Sequence, residues 1–266
     1  MLKKNITNGF RDYCETFLRP ITWIYLGYMD ITMKYKRTLL GPWWNTLGIC
    51  LIVGVLSTVW PLILSADFNF FIPYFSIGFV LWNWFSMTIT ESASSLVESE
   101  NLVKQINIPL TTHLLRISIR NFISFIHNSV LLFFVVFYFN IEINFFDIIF
   151  KTLPGVFLIF FSLNSIGIIL SIISLRFRDF INIIFFILQI LFFFTPVLWH
   201  PSILNKGASM IELNLLFYWI DILRQPLLGL EIHQNSLLII FLTSILFFVI
   251  SLIFIGKYKN KIYYWL

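Results

Sequence analysis

Charge is what this chain has least of. Only 12% of its 266 residues are Asp, Glu, Lys or Arg, against about a quarter in an ordinary soluble domain. Hydrophobic residues make up 59%, and Phe alone accounts for 32 positions. That much apolar surface excludes a water-soluble globule. Cysteine is nearly absent. Cys14 precedes the apolar runs and Cys50 lies within the first of them, so the two sit at different depths and no disulfide is expected.

Chemistry-bearing motifs are missing too. There is no G-x-x-x-x-G-K-[ST] phosphate-binding run and no H-E-x-x-H, and two cysteines with four scattered histidines make no metal site. Neither H-x-x-x-x-D nor D-x-D occurs, which argues against a membrane acyltransferase or glycosyltransferase. The apolar runs hold no chain of buried carboxylates of the kind that relays protons. The start shows no apolar core followed by a small-residue cleavage site, so the first span is expected to act as the insertion signal.

What is present is length without charge. Six stretches contain no Asp, Glu, Lys or Arg: 38–66, 68–90, 121–141, 152–175, 180–205 and 232–256. Each is long enough to cross a bilayer as a helix. They are continuously apolar and do not alternate with period two, so helices are expected in place of a barrel. The expected fold is an all-α integral membrane protein with six transmembrane helices. With the N-terminus in the cytoplasm, 15 of the 18 Lys/Arg fall on the cytoplasmic side; only Lys151, Lys206 and Arg224 do not. That asymmetry orients the chain. The net charge of +5 sits at span ends, where anionic headgroups can meet it, and does not point to nucleic acid.

Three parts follow: residues 1–37 before the membrane, 38–256 as the six-span domain and 257–266 as a cytoplasmic tail. Phe17 to Met33 reads as an interfacial amphipathic helix, or as a soluble helix covering a partner. Leu96 to Asn107, carrying Glu98, Glu100 and Lys104 between apolar residues, reads as a short cytoplasmic amphipathic helix that Pro109 helps to end. The outer segment 200–231 is too polar to span and reads as a pair of short helices dipping back into the outer leaflet, where Asp221 and Arg224 can pair.

Two constellations are candidates for a site. His113, Arg116, Arg120, Ser124 and His127 are spaced 3, 4, 4 and 3, which at about 100° per residue puts them on one helical stripe. The arginines either meet an anionic substrate or snorkel to headgroups, and His127 is either a path residue or a satisfied core histidine. Trp82 and Trp84, flanking Asn83, lie deep in the second span, where indole is disfavoured unless its N–H finds a partner. They line a sugar path or simply pack. Trp60 and Tyr74 belong to an aromatic belt at the outer interface.

Several segments then become familiar. Tyr35-Lys36-Arg37-Thr38-Leu39-Leu40-Gly41-Pro42-Trp43-Trp44 resembles the entry to the first span of ABC-2-type permeases, above all those exporting O-antigen and other bacterial polysaccharides. Arg120-Asn121-Phe122 through His127-Asn128, Arg176-Phe177-Arg178-Asp179, Leu213-Asn214-Leu215 through Arg224-Gln225-Pro226-Leu227-Leu228-Gly229 and the ending Ile262-Tyr263-Tyr264-Trp265-Leu266 match in order. The resemblance implies a homodimer working with two separate ATPase subunits in the bacterial inner membrane, both termini cytoplasmic. It places ATP and Mg on the partner and no cofactor on this chain. It implies a coupling helix near Ser94–Asn107, with Glu98, Glu100 and Lys104 as contacts. The implied cargo is an undecaprenyl-diphosphate-linked glycan, its diphosphate met by Lys36, Arg37, Arg116 and Arg120 at the inner mouth. Such permeases often carry Asn-Pro in the outer broken helices; here Leu215 follows Asn214. A capsule or teichoic-acid exporter is the near alternative.

Overall fold

The computed structural model describes residues 2–64, 66–105, 108–201 and 211–265. All regular structure among them is helical. Two helices precede the first span: α1 (Leu2–Phe17) and α2 (Pro20–Lys34). The single expected helix from Phe17 to Met33 is therefore corrected. Phe17 ends α1, the chain breaks at Leu18-Arg19, and Pro20 opens α2, where its missing N–H costs nothing. Gly9, Asp12, Tyr13 and Thr16 form one buried stripe on α1, a spacing of 3, 1 and 3 that suits a helix lying on a larger body.

The spans are α3 (Trp43–Leu64), α4 (Phe68–Glu98), α6 (Leu110–Tyr138), α8 (Leu153–Arg176) and α11 (Ser236–Trp265). A single turn α7 (Phe145–Asp147) and a π turn (Ile148–Thr152) lead into α8. Five helices are long and apolar enough to cross a membrane. The fifth expected span, Phe180–Trp199, is a helix only over α9 (Phe180–Phe194), whose 15 residues measure about 22 Å. It stops where Pro196 denies the next turn its donor.

α4 is the centre of the bundle. Two-thirds of its most apolar window is buried, against 28% for α3, α6 and α11. It runs unbroken past Thr90 to Glu98, so Glu91 to Glu98 extend the second span; the separate helix α5 (Glu100–Gln105) is six residues long. That corrects the expected helix from Leu96 to Asn107, of which Ile106 and Asn107 lie outside the described residues. α11 likewise continues through residues 257–265 in place of a separate tail.

In the outer segment, α10 (Leu215–Leu227) is the one described helix; residues 202–210 lie outside the description. Asn214 caps it, accepting the Leu216 N–H at 3.0 Å and donating to Thr195 Oγ1 at 2.8 Å. Leu215 thus occupies the first helical position, where proline is favoured but not needed. Asp221 and Arg224 do not pair as expected. Asp221 accepts from the His233 N–H at 3.0 Å and the Ser236 hydroxyl at 2.6 Å, tying α10 to the start of α11. Arg224, fully buried, donates to the Pro196 carbonyl at 2.8 Å and lies 3.7 Å from the Tyr74 ring centre.

α1 is seated without slack. A Cβ on Gly9 would stand 2.2 Å from the Leu252 carbonyl oxygen, and one on Gly256 would stand 1.9 Å from that of Asn5. Two backbones approach this closely only across glycine. Tyr13 extends the contact, its hydroxyl 3.0 Å from Ser251 Oγ, and burial pushes its pKa up to about 12.

Candidate functional site

The polar stripe of the third span lies on α6 as one continuous face, because that helix begins at Leu110. Its arginines already have carboxylates. Arg116 Nε donates to Asp30 at 2.6 Å; Arg120 reaches Asp30 at 3.3 Å and Glu91 at 2.7 Å. Lys34 approaches Glu91 at 3.9 Å. Three cations and two carboxylates thus form a chain linking α2, α4 and α6. Gly27 makes it possible: a Cβ there would stand 2.8 Å from the Arg116 carbonyl oxygen, so α2 comes close enough for Asp30, one turn on, to reach across.

The rest of the stripe divides. His113 is buried. Ser124 Oγ donates to the Arg120 carbonyl. His127 sits 2.9 Å from the Ile123 carbonyl through Nδ1 and meets Trp43 edge-on. Next to it Asn128 accepts from Thr46 at 3.0 Å, tying α3 to α6.

A groove of about 650 Å³ runs between α4 and α9. Asn83, Ser86 and Thr90 line one wall at helical spacing, with Glu91 at its end; Gln189, Phe185, Phe192 and Phe193 line the other. Trp82 and Asn83 belong to this groove, and Trp82 packs on Phe192 at 5.4 Å. Trp84 turns the other way and stacks on Phe125 at 4.5 Å, only 2% exposed. Tyr74 is also buried, its hydroxyl donating to the Pro196 and Trp199 carbonyls. Trp60 is half-buried against the core of the bundle.

Glu91 joins the groove to the ion-pair chain, since it lines the first and anchors the second. Asp30 and Glu91 were not foreseen as partners of the arginines. The only signal was a lone aspartate in an apolar stretch. At the same end of the bundle, Lys36 and Arg37 are exposed and form no ion pair among the described residues; Arg37 has a left-handed backbone, φ 68°. Glu98 is exposed at the end of α4, and Glu100 bonds Lys104 at 2.6 Å along α5.

Residues 24–228 match the ABC-2 type transporter family. The chain belongs to that family. It is a membrane permease subunit of such a transporter, and no ATPase domain lies in its 266 residues. It is similar to the O-antigen export system permease protein RfbA of Klebsiella pneumoniae, 20% identical over 233 residues, 87% of this chain and 90% of that one.

Proposed function

We propose that this permease exports a lipid-linked polysaccharide of the O-antigen type. The observation that carries the reading is the α4–α9 groove. α4 offers Trp82, Asn83, Ser86 and Thr90 and α9 offers Phe185, Gln189 and Phe192, so each wall sets aromatic faces beside amide or hydroxyl groups. Sugar rings have both kinds of surface. The similarity to an O-antigen permease over nearly the whole chain points the same way.

The groove is open on one side. α3 and α9 also leave broad apolar faces uncovered, among them Leu51, Val55, Leu62, Phe186 and Ile190. A second copy closes both in this reading, giving a homodimer that encloses the path. α9 then crosses as the short fifth span of six, completed by the Thr195–Trp199 turn. The end bearing α1, α2 and α5 faces the cytoplasm, where two ATPase subunits dock against Glu98, Glu100 and Lys104, and the site is the bacterial inner membrane. The cargo is a glycan on undecaprenyl diphosphate. Lys36 and Arg37 meet its diphosphate first. Arg116 and Arg120 do so only by exchanging Asp30 and Glu91 for phosphate oxygens, since both are already compensated. Trp60, Tyr74, Trp84 and His127 do not line this groove; Tyr74 and Trp84 turn from it into the core of the bundle.

The test is export. The chain is expressed with the ATPase encoded beside it in a strain lacking its own O-antigen exporter. Surface glycan is expected, and Trp82→Ala or Asn83→Leu should reduce it while the assembled complex still purifies. If surface glycan stays absent although the complex forms and hydrolyses ATP, the polysaccharide reading is wrong. A capsule or teichoic-acid strain restored by the same pair would reassign the cargo.

A further inference from the structure

Two motifs that the export reading leaves unused meet on one surface. The Arg176-Phe177 corner at the end of α8 lies against the final turns of α11. Between them is a groove of about 340 Å³. Its deeper part is apolar: Ile172 and Ile173 from α8, Phe254 from α11. Its rim is aromatic and cationic. The Arg176 guanidinium lies 5.6 Å from the Trp265 ring and 5.9 Å from that of Phe177. Just outside the lining, Lys257 and Lys261 lie 5.1 and 5.9 Å from the ring of Tyr258, which does line it.

The sequence arranges this. Phe254, Tyr258, Lys261 and Trp265 recur at intervals of 4, 3 and 4, one face of a helix. α11 continues beyond the expected end of its span, so these residues form a helical wall in the stretch expected as a cytoplasmic tail.

The charges here differ from their neighbours. Lys259 has Asp12 at 2.6 Å, Arg116 has Asp30, and Arg120 has Glu91. Arg176, Lys257 and Lys261 have no carboxylate partner among the described residues. Aromatic faces hold them near an apolar slot and leave their positive charge uncompensated.

An apolar slot with a cationic rim, edged by Tyr and Trp, complements a lipid. The aromatic rings mark the depth of the headgroups, and each basic residue near such a surface favours an anionic headgroup by about 1 kcal/mol. A zwitterionic headgroup brings its own cation and gains little from three more. We propose that this α8–α11 groove is a binding site for an anionic phospholipid, with the phosphate on Arg176 and Lys261 and an acyl chain along Ile172 and Phe254.

Retention of lipid tests this without any reference to transport, so its outcome is separable from the export reading. The purified full chain is equilibrated in micelles holding equal phosphatidylglycerol and phosphatidylethanolamine, stripped by detergent exchange and weighed by native mass spectrometry. Phosphatidylglycerol should remain in excess. The variant Arg176→Gln/Lys257→Gln/Lys261→Gln should lose that excess, by about fivefold for each cation removed. Lys3→Gln/Lys4→Gln, a pair of cations on α1, should leave it unchanged. Should the triple variant not elute as one species, the single changes at exposed Lys257 and Lys261 carry the same comparison. Equal retention of the two lipids overturns the proposal, as does an unchanged excess in the charge variants or an equal loss in the α1 control.

Discussion

The carboxylate of Asp12 accepts the Thr111 N–H at 3.1 Å while its other oxygen takes Lys259 at 2.6 Å. A residue of α1 thereby caps α6, whose own cap position, Pro109, supplies no side-chain bond. A carboxylate at a helix N-terminus is favoured by the exposed N–H groups and by the dipole. Because Asp12 is fully buried, its removal strands a cation and a helix end together. Asp12→Ala should cost about 2–3 kcal/mol, the loss of a charged cap and its bonds, read as a fall in thermal unfolding temperature in detergent. Lys259→Gln should cost less, because the lysine is one-third exposed and leaves Asp12 its bonds to Thr111.

The glycine crossing gives a second test. Gly9→Ala and Gly256→Ala place a methyl group where a carbonyl already stands, so α1 must lift from α11. Each should lose about 1–3 kcal/mol. Nothing lies within 4 Å of a Cβ at Gly48 or Gly54 on α3. Alanine there should leave the isolated chain no less stable, since alanine favours a helix over glycine by about 1 kcal/mol. Equal losses at all four positions would refute the crossing as the cause.

A third concerns the chain of ion pairs. Asp30→Asn leaves Arg116 without its carboxylate and removes one of two from Arg120, and should destabilise by about 1–3 kcal/mol, between the exposed and buried limits. A double-mutant cycle on Asp30 and Arg116 should show coupling of similar size. Glu91→Gln has a separate consequence. It removes the nearer of Arg120's two carboxylates at the end of the α4–α9 groove, leaving Asp30 at 3.3 Å, so inorganic diphosphate should bind the variant more tightly than the wild type by calorimetry.

Arg224 sets a fourth. Tyr74→Phe keeps the ring under the guanidinium but deletes the hydroxyl bonds to Pro196 and Trp199, at a cost of about 1 kcal/mol. Arg224→Lys keeps the charge but loses the planar contact and the aim at the Pro196 carbonyl, and should cost about 2–4 kcal/mol. The order of the two unfolding temperatures is the readout; the reverse order would mean that the ring contact contributes little.

Much of this fold could be read from the spacing of charge, and the misses share a cause. Counting charge-free residues ends a span at the first ionised group. α4 passes Glu91 and α6 begins before Arg116 because Asp30, Glu91 and the two arginines neutralise one another. No single stretch of sequence displays that pairing. α1 was invisible for a related reason: Asp12 and Thr16 look like solvent-facing residues until Thr111 and Lys259 are found beside them. The groove was half legible. Trp82 and Asn83 stood out as polar or amphipathic groups deep in a span, but residues two apart on a helix lie about 200° apart, so Trp84 had to face away from Trp82.

α11 deserves a mechanical reading. Its 30 residues form a rod of about 45 Å. At one end Asp221 of α10 grips Ser236; at the other α1 is wedged against Gly256 and bonded through Lys259. A helix resists compression along its axis, so a push on α1 arrives at α10 as displacement and is not dissipated between them. The permease thus has a connecting rod between α1 and α10, set against α8.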